Sequence, residues 1–400
     1  MTTRSQLAAA VAVLLLVGGC SQSTPRRPMF TVPTTIPSDC TRPVEGQIMA
    51  FLASVPNGST VRFPARACYG QDRTIVLQDR RDLTIDGNGA TFKRITPPHR
   101  PGDPNGNNAN WRINRGTGNT LENLVIVGNY VPVTRGTPGQ GQYTDHGVSI
   151  WGAENASVVN VQVSDVDGEF VAVDPDVQGA PGGDYTKAAP SRNILIDHLT
   201  GTGASRQCVS STDVDGLIVR HSNLDNCQQT GFDAEIDVAG ELNRNIHFVD
   251  NTITNAYFAP ISIPVLSFPT APGTVGNIEI RGNTVPHHPD TCFADVYVGS
   301  HPNTTASGVT IADNHFATIG DGVTITGSDV QATISGNAIT YEGNHACDNP
   351  TFTPPYSAPV RRNGNAGVAV TSDNTFTGFC CNQDQAPPTT TPSTAPAVKP

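Results

Sequence analysis

Lysine is almost missing from this 400-residue chain, which carries it only at Lys93, Lys187 and Lys399. Charged residues of all kinds make up 15% of the sequence and the net charge is -11. No basic stripe exists to neutralise phosphates, which argues against nucleic acid or an anionic membrane surface as a partner. No CxxC pair is present, so the ligand spacing of a structural zinc site is absent as well. Long apolar runs are also lacking. Leu7 to Val17 is the start of one, but it is too short to span a bilayer.

What the chain does have is glycine and proline, 39 and 32 of them, with abundant asparagine and many short β-branched runs. That mixture predicts numerous turns between short strands rather than helices.

The N-terminus reads as an export signal. Arg4 gives a basic start, the apolar run follows, and Val17-Gly18-Gly19-Cys20 ends it. The segment resembles a bacterial lipobox, in which the cysteine becomes the lipidated first residue of the mature protein; an ordinary secretory peptide with an incidental cysteine is the alternative. The expectation is a signal peptide over 1–20, an extended Pro/Ser/Thr-rich tether over 21–38, a folded domain over 39–385 and a Pro/Thr-rich disordered tail over 386–400. Cys20 would then hold the chain, as a monomer, on the extracytoplasmic face of the cell membrane. Eight further cysteines in an oxidising compartment predict disulfides, with Cys40–Cys68 and Cys208–Cys227 as the expected pairs.

A short pattern recurs along the domain: two apolar residues separated by one, then a turn pair and often Asn. It appears at Leu83-Thr-Ile85-Asp-Gly-Asn88, Leu124-Val-Ile126-Val-Gly-Asn129, Ile246-His-Phe248-Val-Asp-Asn251, Ile278-Glu-Ile280-Arg-Gly-Asn283, Val309-Thr-Ile311-Ala-Asp-Asn314 and Ala332-Thr-Ile334-Ser-Gly-Asn337. Weaker copies begin at Val159, Ile194, Leu217 and Val368, and no gap between copies is shorter than 23 residues. One coil of a parallel β-helix needs about 22 residues or more, and insertions lengthen its turns. A β-propeller needs about 40 per blade, which the shortest gaps do not supply. The reading is an all-β solenoid of about ten coils, with Asn ladders at the stacked turns and Ser164 and Ser222 replacing Asn in two copies. Val44 to Val55 has its apolar residues at helical spacing and is expected to cap the N-terminal end.

The entry segment, Gly58-Ser-Thr-Val61-Arg-Phe63-Pro64 followed by Leu83-Thr-Ile85-Asp-Gly-Asn88-Gly-Ala-Thr-Phe92, resembles that of pectate-lyase-like right-handed parallel β-helix proteins. The resemblance covers about Gly58 to Phe376. It implies a substrate groove along one sheet, and the superfamily holds lyases, hydrolases, epimerases and non-catalytic adhesins. The motifs of polygalacturonase-type hydrolases are not matched beyond Ser211-Thr212-Asp213, and those of mannuronan epimerases not beyond Gly231-Phe232-Asp233.

Six segments should line that groove: Gly147-Trp151, Glu169-Asp174, Arg206-Ser211, Gly231-Asp237, Pro260-Ile263 and Asp295-Val298. In Gly231-Phe-Asp-Ala-Glu-Ile-Asp237, alternation turns Phe232, Ala234 and Ile236 inward and Asp233, Glu235 and Asp237 outward. Residues two apart on one face lie about 6.5 Å from each other, near the separation of a glycosidic acid–base pair. The expected catalytic set is Asp233, Glu235, Arg206 and Asp174, where the arginine would clamp a substrate carboxylate. Trp151, Asp237, Asp213 and His146 are expected to contact substrate, Trp151 by stacking on a sugar ring. The acidic cluster could also hold calcium. His287-His288-Pro-Asp290 is a weaker metal candidate. These residues point to a polysaccharide lyase or glycoside hydrolase; a glycan-binding or structural surface protein is the competing reading.

Overall fold

A computed structural model describes residues 27–96, 109–130, 145–176, 179, 187–236, 240–265, 273–286, 293–300, 304–342, 357–363 and 367–379. Within them the chain winds as a right-handed parallel β-helix, as the repeat predicts. Each coil contributes one short strand to each of three parallel sheets, here A, B and C in chain order. Sheets A and B each have twelve strands and sheet C has ten, so ten coils are complete.

Apolar side chains alternate inward and stack directly above one another. Ile85, Leu121, Val158, Ile196, Val219, Phe248, Ile280, Ile311 and Ile334 form one such column under sheet A, all essentially buried. Near the N-terminal end the core between the sheets is aromatic: Phe92 packs edge-on against Phe63 and Trp111, with ring centroids 5.0 Å apart in both pairs.

A solenoid must close its open end. Here the helix Glu45–Ser54 does so. It follows the first strands of sheets A and B and stands where a strand of sheet C would otherwise lie. Ile48 and Leu52 are buried against the first coil. At its C-terminal end the Arg80 guanidinium donates to the Leu52 and Val55 carbonyls at 2.7 and 2.6 Å, tying the helix end to the first coil.

Two expectations need correction. The segment 21–38 is not all tether: Met29–Thr31 pairs in parallel with Thr60–Arg62, and Val32 and Ile36 are buried. Its prolines keep the chain extended, and extended chain with alternating apolar residues adds readily to a sheet edge. Cys20 and the tail 386–400 lie outside the described residues.

The Asn ladder is real but shorter than the repeat suggested. Asn251, Asn283, Asn314, Asn337 and Asn374 stack at the corner between sheets A and B. Ser222 joins them, its amide donating to Asn251 Oδ1 at 3.0 Å. Ser164 does not: it lies on a strand of sheet B. The copy at Leu124 is likewise offset, with Ile126 on sheet B whereas Ile85 is on sheet A. The earlier coils place Leu124, Val161 and Leu199 at the ladder position, so an apolar residue replaces the amide there. The residue just before this position takes a left-handed backbone in coil after coil, at Asn123, Asn160, His198, His221, Asp250 and Asp313.

Both expected disulfides form, with Cα separations of 5.0 Å for Cys40–Cys68 and 5.3 Å for Cys208–Cys227.

Candidate functional site

Sheet C carries all six expected groove segments on neighbouring strands. Its inward column runs through Ile113, Ile150, Val173, Ser211, Ala234 and Ile263. Phe232, Ala234 and Ile236 are fully buried, as alternation predicts.

The outer face concentrates its chemistry on the middle coils. One outward column runs through Arg112, Ser149, Ala172, Ser210, Asp233 and Ser262. Two residues further along each strand a second column runs through Asn114, Trp151 and Asp174. Thr212 and Glu235 continue it: the Thr212 amide donates to Val173 O at 2.9 Å and the Glu235 amide to Ser211 O at 3.0 Å.

Asp174 is the best-held carboxylate of this column. Trp151 Nε1 donates to it at 3.2 Å and Thr212 Oγ1 at 2.8 Å. Burial pushes its carboxyl up, against the opposing pull of His146 and of these two donors, and with the help of the Glu169 charge. The Arg112 guanidinium lies over the Trp151 ring, 3.7 Å from its centroid. Burial brings Arg112 down to about 10, with Asp174 resisting the shift.

At the corner where sheet B passes into sheet C, a second group of charges is buried. His146 Nδ1 pairs with the Glu169 carboxylate and also accepts the Glu169 amide at 3.2 Å, so the ring has a partner in either protonation state. Arg206 Nε sits 3.1 Å from the other Glu169 oxygen. Burial alone would raise Glu169; Arg206 and His146 overcome it and hold the group at about 2. In the same corner Asp167 is pushed up to about 7 by burial, against a Ser205 hydrogen bond and with the added repulsion of Asp145. Gly168 is required between these acids, because a Cβ there would meet His146 Nδ1 at 2.8 Å.

The fold therefore brings Asp174, His146, Arg206 and Trp151 into one cluster. Trp151 reaches it as a buried donor, 4% exposed, with Arg112 on its ring face, and not as an open sugar platform. Asp233 joins through Gln207, whose Nε2 donates to its carboxylate at 3.2 Å. Glu235 is half-buried, two coils beyond Asp174 in the same column. Asp213 stands apart: it turns at the corner toward sheet A with φ of 51° and accepts the Leu242 amide at 3.2 Å. Asp237 and the His287–Asp290 segment lie outside the described residues.

Sequence reasoning passed over Glu169, Asp167, Asp145 and Arg112. The signal for Asp167 and Glu169 is the acidic run Asp165-Val-Asp167-Gly-Glu169 in a chain so poor in charge. Alternation within strands does not register it, since the run turns a corner.

The outer face of sheet B offers a competing trough of about 490 Å³ lined by Gln162, Thr200, Asn223, Asp225 and Thr252 among others. Among the described residues Asp225 is its sole titratable side chain, and it is tied to Thr202, Thr254 and Asn255. It lacks an acid–base pair, so sheet C remains the candidate face.

No family model matches this sequence, and no curated protein matches it significantly. Among solved structures it is similar to endo-xylogalacturonan hydrolase from Aspergillus tubingensis, at 14% identity and a TM-score of 0.59 over 88% of this chain and 92% of that one. It is also similar to PfbA, a surface adhesin of Streptococcus pneumoniae, at 13% identity and a TM-score of 0.60 over 87% and 90% of the two chains. The polygalacturonase from Erwinia carotovora ssp. carotovora aligns at 15% identity and a TM-score of 0.54 over 88% and 96%. At these identities the likeness is one of fold.

Proposed function

We propose that this chain cleaves a polysaccharide laid along the outer face of sheet C, by acid–base hydrolysis. The observation that carries the reading is the pairing of Asp174 with Glu235 in one column. Burial holds the Asp174 carboxyl toward its protonated form, while Glu235 stands two coils away on the same face. Two strand spacings put their backbones about 9.6 Å apart, just past the wide end of the about 6.5–9.5 Å between carboxyls that leaves room for a water, a gap the side chains can close. Asp174 gives its proton to the leaving glycosidic oxygen. Glu235 takes a proton from water, whose oxygen bonds the anomeric carbon as the glycosidic bond breaks. Arg206, partly exposed beside Glu169, is positioned to meet an acidic substituent of the sugar.

The fold is shared with two pectin-directed hydrolases, which supports the substrate class. It is shared with an adhesin too. One further observation favours a binding protein: Asp174, Glu169 and Asp233 are each already hydrogen-bonded or ion-paired, as in a structural network.

The test is incubation of the purified protein with neutral and uronate-containing polysaccharides, following reducing ends and unsaturated, ultraviolet-absorbing ends separately. Reducing ends alone, lost in Asp174→Asn and Glu235→Gln, are expected. Unsaturated ends would mean β-elimination and would remove the water-activating role of Glu235. Retained glycan binding with no product across the panel would establish the adhesin-like reading. Attachment through Cys20 belongs to the same proposal and is supported by the lipobox-like segment and the two disulfides. Metabolic lipid labelling that vanishes in Cys20→Ala checks it.

A further inference from the structure

The corner between sheets A and B lies across the coil from sheet C, and one part of it has no place in the chemistry above. At the left-handed position of this corner, successive coils place Asn123, Asn160, His198, His221, Asp250 and Asp313, with Gly282 and Gly336 between and after them. Two coils running put imidazoles where the others use Asn, Asp or Gly. The rings lie 5.0 Å apart, centroid to centroid. Between them is Asp197, whose Oδ1 is 2.7 Å from His198 Nδ1 and 3.0 Å from His221 Nδ1. The other carboxylate oxygen is held by Arg220 through Nε and Nη2, at 3.0 and 2.7 Å.

We propose that His198, His221 and Asp197 form a binding site for a borderline divalent transition-metal ion such as Zn²⁺. The three ligand atoms already converge within 4.8 Å of one another. A tetrahedral ion with bonds of about 2.0–2.1 Å wants its ligand atoms about 3.3 Å apart, and Asp197 Oδ1 already lies 2.7 and 3.0 Å from the two Nδ1 atoms, so binding asks for a small readjustment of exposed rings. Both side chains that must move are free to do so, with His198 62% and His221 43% exposed. The tautomer is equally adaptable. Each ring can keep its proton on Nε2 and turn the Nδ1 lone pair inward. Two imidazoles and one carboxylate suit zinc, copper or nickel better than calcium or magnesium, which prefer oxygen donors.

Arg220 plays the outer-sphere part that metal-binding carboxylates commonly have. By engaging Oδ2 it fixes the carboxylate plane and leaves Oδ1 as the single ligating oxygen. The exposure of the cluster leaves a fourth position to water, as in a three-ligand site. Because Asp197 and His198 belong to one coil and His221 to the next, an ion there would also clamp those two coils together.

The test uses the full chain without an affinity tag, near neutral pH. Zn²⁺ is titrated by calorimetry, and Co²⁺ by visible absorption, which reports tetrahedral coordination through its band intensity. One equivalent should bind the native protein. Losing only an outer partner of a metal site costs about 10–100-fold, so His198→Ala and His221→Ala should each weaken binding by at least about tenfold. His247→Ala, at a surface histidine paired with Glu279 elsewhere on sheet A, should leave it unchanged. Thermal unfolding in chelator confirms that the variants are folded. The proposal is overturned if the native protein binds no more tightly than the His198→Ala/His221→Ala double variant, or if His247→Ala removes binding equally.

Discussion

Trp151 donates its indole N–H to the Asp174 carboxylate at 3.2 Å, and so the protonation of Asp174 is set in part by a neighbour from the preceding coil. Trp151→Phe keeps a ring under Arg112 and removes the donor. The hydrogen bond favours the charged carboxylate, so its loss should raise the Asp174 pKa. A bond of this kind is worth about 1.5 kcal/mol or more, or about one pH unit. If Asp174 is the acid, the high-pH limb of the activity profile moves upward by about that much. An unchanged profile would separate Asp174 from the proton transfer.

Asp167 and Glu169 should give stability opposite pH dependences. Asp167 titrates at about 7 in the folded protein against an ordinary 3.8, so folding holds its proton and stability falls as pH rises from about 4 to 7. Glu169 titrates at about 2 against 4.5, so its contribution is full above about 4.5 and is lost as pH falls toward 2. Asp167→Asn should therefore stabilise the protein at pH 8 by about 1–3 kcal/mol and do little at pH 4. Chemical denaturation at the two pH values reads this directly.

The Asn ladder predicts a gradient of mutational cost along the axis. Asn314 accepts the Asn283 amide and side chain and donates to Ile280 O and Asn337 Oδ1, all at about 3 Å and buried. Asn314→Ala leaves several of these groups unsatisfied and should cost about 2–4 kcal/mol. Asn374→Ala, at the end of the stack and partly solvated, should cost less than about 1.5 kcal/mol. Thermal midpoints of the two variants measure the difference; equal shifts would deny the ladder its cooperative character.

Cys208–Cys227 joins the coil that bears Arg206 and Gln207 to the next one. The bridge spans 19 residues, and the double Cys→Ser variant should lose about 3 kcal/mol. Hydrogen exchange should rise first around Arg206–Val209, because the tie lies there. Uniform exchange along the solenoid would contradict the local effect.

The stacking of coils was legible because one constraint repeats. Each turn must bury the same face, so Ile246, Ile278 and Ile311 announce their register by recurrence alone. The two disulfides follow from cysteines brought to neighbouring coils. The ladder's first half could not be read, because Leu124, Val161 and Leu199 take the Asn position by filling it with hydrocarbon. The site divides in the same way. Asp233 and Glu235 are visible on a strand by alternation, whereas Glu169 and Asp167 lie where the chain bends between sheets and no period applies. The buried fate of Trp151 depends on Arg112, a partner one coil away that no local pattern specifies.

Separations along such a solenoid are quantised. Asp174 and Glu235 can be one, two or three steps apart, in increments of about 4.8 Å, and not at values between. One step would approach the about 5 Å spacing of retaining glycosidases, whereas two approach the inverting range. Gain or loss of a single coil between two carboxylates could therefore switch stereochemical outcome in one event, with each strand left intact.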